Sequence, residues 1–283
     1  MRCQFCGGVG ELVKRADGTC CAVGDPVVPA ALSTKRKALY SIEDWYESCP
    51  PKGGARQWRD GYSAKESAKA WFRDDNLSMP IELTDLLESR PELAGFRFGT
   101  VTPEVCTRLD EYKQGRNADA IVSGVSGGRR TLIAVEAKAS EDFGQEIGDR
   151  LLSAIAHTKV PSRIDALAEA VFGRRVTMVD PVLRGLRYQL LHALAGAVIE
   201  ARNSKADQAV LAVHYFPNSR RPMKDTFGDF QRFVDTLAPD RQVTPGVAIR
   251  VRIHGSEFVP AEMPLFVGWA SAPGGDARTT QGQ

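Results

Sequence analysis

The stretch "NADAIVSGVSGGRRTLIAVEAKAS", residues 117 to 140, restricts the fold more than any other part of the chain. Two apolar runs flank the pair Gly127-Gly128. Adjacent glycines supply the positive φ angles that a two-residue primed turn demands. The spacing therefore predicts a β-hairpin in which Ser126 pairs with Arg129, Val122 with Ile133, Ala120 with Val135 and Ala118 with Ala137. In that register Asp119 stands opposite Glu136, and Lys138 shares their face because residues two apart on a strand point the same way. A slip of one residue would scatter the apolar set, so the pattern argues for this pairing.

Directly opposed residues lie within about 5.5 Å, close enough for Asp119 and Glu136 to share one divalent cation. Two carboxylates at that range repel unless a cation sits between them or one takes a proton. A Mg²⁺ ion held by two carboxylates keeps several waters, one of which can become an attacking hydroxide. A neighbouring lysine can steady charge that develops on a phosphate. The alternative reading of the same residues is a hairpin whose charges form an exposed cross-strand salt bridge.

Composition limits the surroundings of this hairpin. The chain has 283 residues, 43% hydrophobic and 25% charged, with a formal net charge of +2. That is enough apolar material for one large core, and no global field forces a nucleic-acid partner. The arginine pairs at 129–130, 174–175 and 220–221, and Arg184 with Arg187, offer only local basic footprints. The opening MRCQFCGG has no signal-peptide core, and nothing approaches the roughly 20 apolar residues of a membrane helix. The expectation is a cytoplasmic protein with reduced cysteines and no membrane partner.

Residues 1–40 read as an irregular Gly- and Cys-rich arm, residues 41–270 as the main domain, and residues 271–283 as a disordered tail. A short helix is expected from residue 41 up to a Pro-Gly break, with further helices near 63–73, 81–93, 145–158, 163–172, 181–203 and 224–237, and strands near 96–101, 207–216, 247–255 and 264–270. Ser63 reads as an N-cap and Glu66 as its capping-box partner. Within the helix from 181, Gly185, Gln189, His192 and Gly196 share one face, and Leu186, Leu190, Leu194 and Ala197 point the other way. That stripe faces either solvent or a site. Trp45, Trp58 and Trp71 are expected in or beside the core. His157, His192, His214 and His254 show no metal-ligand spacing.

Cys3 and Cys6 form a zinc-ribbon knuckle that Cys20 and Cys21 would complete, with Cys49 as a substitute. Adjacent cysteines rarely both reach one tetrahedral ion, so four reduced thiols are expected and structural Zn²⁺ is the alternative. The glycines of "SGVSGGRR" lack the Gly-Lys-Ser/Thr ending of a phosphate loop.

Asp119, followed after a hairpin by Glu136-Ala137-Lys138, resembles the PD-(D/E)XK nuclease superfamily. "WRDGYSAKESAKAW", "VEAKASEDFG", "LRYQLLHALAGAVIEA" and "AVLAVHYF" look closer still to a poorly characterised bacterial PD-(D/E)XK-like family, over about residues 40 to 237. The resemblance implies an α/β, restriction-endonuclease-like core with a central mixed sheet flanked by helices, and extra helices inserted between 145 and 172. It implies Mg²⁺ or Mn²⁺ on Asp119 and Glu136, with Lys138 acting on the water or phosphate. Glu66 would be a further acid on the first helix, and Gln189 a polar residue near the active site. Ala118 stands where the superfamily's name has a proline. The implied activity is hydrolysis of DNA phosphodiester bonds, in restriction or defence against foreign DNA, with a homodimer as the assembly that cuts both strands. The rival is a catalytically inactive nucleic-acid-binding or protein-interaction module on the same fold.

Overall fold

The computed structural model describes residues 11–14, 20–23, 39–51, 53–73, 76–112, 115–139, 141–154, 158–217 and 225–273. Strands β1 (Glu11–Lys14) and β2 (Cys20–Val23) pair antiparallel as a small separate sheet, within the arm expected to be irregular. Cys3, Cys6, His157, Arg220, Arg221 and the tail beyond residue 273 lie outside the described residues.

The main sheet has six strands: β3 (Arg97–Thr107), β4 (Arg116–Ser126), β5 (Arg129–Lys138), β6 (Gln208–Tyr215), β7 (Ile249–Val251) and β8 (Leu265–Ser271). Their order is β3-β4-β5-β6-β8-β7. β3, β4 and β5 form an antiparallel meander, β6 and β8 continue parallel to β5, and β7 closes the edge antiparallel. The sheet is therefore mixed and open.

The hairpin turns at Gly127 and Gly128, with φ of 54° and 80°, and its ladder runs from Ser126↔Arg129 to Ala120↔Val135. Beyond that pair the expected partners Asp119–Glu136 and Ala118–Ala137 do not continue the ladder. The reason is local: the Ala137 N–H donates to Asp119 Oδ2 at 2.6 Å, so a side chain replaces the backbone acceptor. β4 stays on β3 through Val105↔Ala118, while β5 goes on with β6 as far as Lys138↔Tyr215.

Helices cover both faces. On one side lie α1 (Ile42–Ser48), α2 (Ser63–Trp71) and α3 (Ile81–Glu88). Trp71, Leu83, Leu86 and Trp45 pack there on Ala120, Val122, Ile133, Val135 and Phe266, and Trp58 packs against that cluster from its margin. The other side carries α4 (Ile147–Leu152), α5 (Val160–Phe172), α6 (Pro181–Arg184), α7 (Tyr188–Asn203) and α8 (Thr226–Leu237). Their core joins Leu190, Leu194, Phe230 and Phe233 to Ile121, Leu132, Ala134 and Leu211.

Two local expectations change. The N-cap of α2 is Tyr62, not Ser63, and Glu66 reaches back to accept from the Gly61 N–H at 2.8 Å. The helix expected over 181–203 breaks between α6 and α7. Asp180 caps α6 through the Leu183 N–H, after which the Ile147 N–H donates to Leu186 O and the Tyr188 N–H to Gln145 O. Those two cross-chain bonds tie the entry of α4 to the break and take backbone groups that a continuous helix would need. Among the described residues, no helix is long and apolar enough to cross a membrane.

Candidate active site

β5 is apolar and buried almost throughout, yet it ends in Glu136 and Lys138, which are 2% and 5% exposed. A charge in that setting needs partners, because isolated ions leave water at a cost of several kcal/mol each. Glu136 has three. Lys138 Nζ donates to its Oε1 at 2.9 Å, Gln189 Nε2 donates to the same oxygen at 2.5 Å, and the Arg116 guanidinium bonds Oε2. Burial opposes ionisation of Glu136, but Lys138 and then Arg116 outweigh it and hold the carboxyl below its usual range. Burial likewise works against the Lys138 ammonium, and Glu136 and Asp119 keep it charged. Its Nζ also lies 5.2 Å from the Phe143 ring centroid.

Asp119 is the uncomfortable member. Burial, followed by the neighbouring Glu136 charge, pushes its carboxyl up to about 7, against the pull of Lys138 and the Ala137 N–H. Glu104 on β3 adds a smaller repulsion. A carboxylate poised in this way accepts either a proton or a cation.

α7 supplies the wall of the site. Gln189 reaches Glu136, and His192, three residues on, meets the Tyr188 ring edge-on at 4.8 Å between centroids. Burial, then the Arg116 charge, hold His192 down to about 3, so the ring is neutral at neutral pH. Gly196 lies against Arg116: a Cβ there would sit 3.3 Å from Arg116 Cδ. The polar stripe Gln189–His192–Gly196 thus looks at the end of β5, while Leu190, Leu194 and Ala197 are fully buried. Gly185, assigned to the same stripe, precedes the helix and does not belong to it.

Glu66 is not brought to this group. It lines a separate cavity of about 220 Å³ with Lys69, Arg73 and Phe216, and pairs with Lys69 at 3.2 Å. Ala70 on the same helix packs on Ala137 and Ala139, which alternate with Glu136 and Lys138 and so point to the other face of the sheet. Glu141 accepts from the Ala139 N–H at 3.2 Å, as a turn residue does. The sequence reading missed Arg116. The available signals were its place three residues before Asp119 at the start of β4 and a glycine in mid-helix at 196, which marks close approach of another group.

Among the described residues, no group of three or more His, Cys, Asp or Glu side chains is placed to hold a metal. Two hard carboxylates with water completing the shell are, however, a donor set that Mg²⁺ or Mn²⁺ accepts. The Ala137 N–H engages only one oxygen of Asp119 by the bond described, and a cation beside it would relieve the repulsion that raises its proton affinity. Asp119 would offer such an ion its second oxygen, and Glu136 would have to share oxygens already held by Lys138, Gln189 and Arg116. The chain belongs to a family described as a domain of unknown function (DUF6946), which matches residues 38–274. No curated protein and no solved structure matches it.

Proposed function

We propose that this protein is a Mg²⁺- or Mn²⁺-dependent nuclease that hydrolyses DNA phosphodiester bonds. The observation that carries the reading is the convergence of Asp119, Glu136, Lys138 and Gln189 at the carboxyl end of β5. The resemblance to the PD-(D/E)XK superfamily, carried by the same residues, supports it, and a role in restriction or defence rests on that resemblance alone. A homodimer cutting both strands has the same basis.

Asp119 and Glu136 would hold the ion, which when bound supplies an activated water and positive charge for the phosphate. Gln189 fixes the orientation of Glu136 by donating to Oε1, and this keeps the carboxylate from rotating away. Lys138 keeps a full positive charge at Nζ, where an incoming phosphate oxygen could share it. The neutral ring of His192 adds no competing cation. Apolar packing around β5 excludes water, which strengthens each of these interactions.

A second reading has one observation in its favour: the three partners of Glu136 already close an ion-pair network. On that view the group is structural and the domain binds nucleic acid or protein without cutting. Calorimetry with Mg²⁺ and Mn²⁺ separates the two. The nuclease reading expects saturable binding to the wild type and its loss in Asp119→Ala, whereas heat changes indistinguishable from dilution would leave the structural reading.

A further inference from the structure

We infer that Arg116 is the built-in counter-cation of this site: its guanidinium holds Glu136 while no divalent ion is bound, and it competes with that ion for the carboxylate. The inference rests on the metal-site reading above and adds a residue that neither sequence pattern nor resemblance assigns.

Three observations lead to it. Lys138 and Gln189 share Oε1 of Glu136, so Arg116 is the group on Oε2. A cation on that oxygen would share it with the guanidinium. Next, Arg116 is 6% exposed, yet its Nε is buried with no hydrogen-bond partner among the described residues. A buried structural arginine normally saturates its fork. Even the partly buried Arg163 does so, donating through Nε and Nη2 to the two oxygens of Asp110 at 2.5 and 2.8 Å. A buried donor without an acceptor is costly, so an Arg116 that served stability alone would be poorly placed. Last, α7 opens a seat for this side chain at Gly196, where a Cβ would press on Arg116 Cδ at 3.3 Å.

The electrostatic consequence has a definite sign. Arg116 and a divalent ion are both positive and both sit on one carboxylate, so each weakens the hold of the other. Arg116 is therefore a positioning residue: it keeps Glu136 ionised and in place, and it limits how tightly the ion binds. A residue with a purely structural role would not move metal affinity upward when removed.

The test uses the full chain and Mn²⁺ as the probe, titrated calorimetrically into wild type, Arg116→Gln, Arg116→Lys and Gly196→Ala, with circular dichroism to confirm folding. Arg116→Gln is expected to bind Mn²⁺ about tenfold tighter or more, as loss of one nearby like charge requires. Arg116→Lys keeps the charge and should stay within about threefold of wild type. Gly196→Ala leaves every charge in the site and presses on the Arg116 stem at Cδ, so it should tighten binding in the same direction by about two- to threefold. It decides the matter alone if Arg116→Gln does not fold. Equal or weaker Mn²⁺ binding in folded Arg116→Gln, or in Gly196→Ala where Arg116→Gln does not fold, overturns the role of Arg116 and leaves the metal site standing. A wild type that binds no Mn²⁺ removes both.

Discussion

Glu136 is a charge that the core could not hold alone. At 2% exposure it is no surface ion pair, and that number separates two readings of the hairpin. An exposed cross-strand bridge is worth roughly 0–1 kcal/mol. Removing one member of a buried network costs about 3–5 kcal/mol, because the remaining charges lose their counter-ion. Glu136→Gln strands Lys138 and Arg116 together, so its thermal midpoint should fall by an amount in the larger class. Asp119 carries the opposite sign. Its folded carboxyl titrates at about 7, above the ordinary 3.8, so the native chain binds more protons than the unfolded chain between those values. Its contribution to stability is therefore most favourable below the unfolded value and is lost as pH rises through about 7. Asp119→Asn in chelator removes that dependence. The stability difference between variant and wild type should be small near pH 4, grow toward pH 7 and then level, with an upper bound of about 4 kcal/mol. His192 and His214 also titrate low, but they are common to both proteins and cancel in the difference. A flat difference across that range would remove Asp119 from the strained position.

At the level of elements, legibility tracked how local the determining forces were. Gly127 and Gly128 set the turn by backbone conformation alone, and the register from Ser126↔Arg129 to Ala120↔Val135 follows from alternation. The end of that ladder did not follow, because it is decided by a carboxylate taking the Ala137 N–H. The break before α7 was hidden for a similar reason: apolar spacing runs through residues 181–203, and the bonds that interrupt it come from Gln145 and Ile147. Asp180→Ala tests that boundary. Loss of the cap on the Leu183 N–H should cost about 1 kcal/mol, with the melting of the whole domain as the readout. The stripe on α7 was visible as a helical face, but which side of the sheet it met was not. Gln189→Ala removes a bond to a charged, buried acceptor, so it should cost about 1.5–3 kcal/mol and also weaken Mn²⁺ binding. A normal Mn²⁺ affinity beside the stability loss would confine Gln189 to structure.

Across the whole molecule, a six-stranded mixed sheet between two helical layers brings together residues that lie up to 73 positions apart in sequence, Arg116 to Gln189. Arg116 and Glu66 show what a chain of residues conceals at this scale. Arg116 joins the site through packing against Gly196, and Glu66 leaves it because α2 covers the opposite face of β5. With a net charge of only +2, affinity for DNA would have to come from the local field of the site, with its two cations and a bound metal ion, rather than from the surface as a whole. The claim that this site cuts DNA is tested most directly by one assay: incubation of wild type and Lys138→Ala with linear, nicked and single-stranded DNA, in Mg²⁺ and in chelator. The account predicts cleavage by wild type that needs Mg²⁺ and slows by about 100-fold or more in Lys138→Ala, as when a developing charge loses its partner. Intact DNA in every wild-type reaction, or equal cleavage by both proteins, would contradict it.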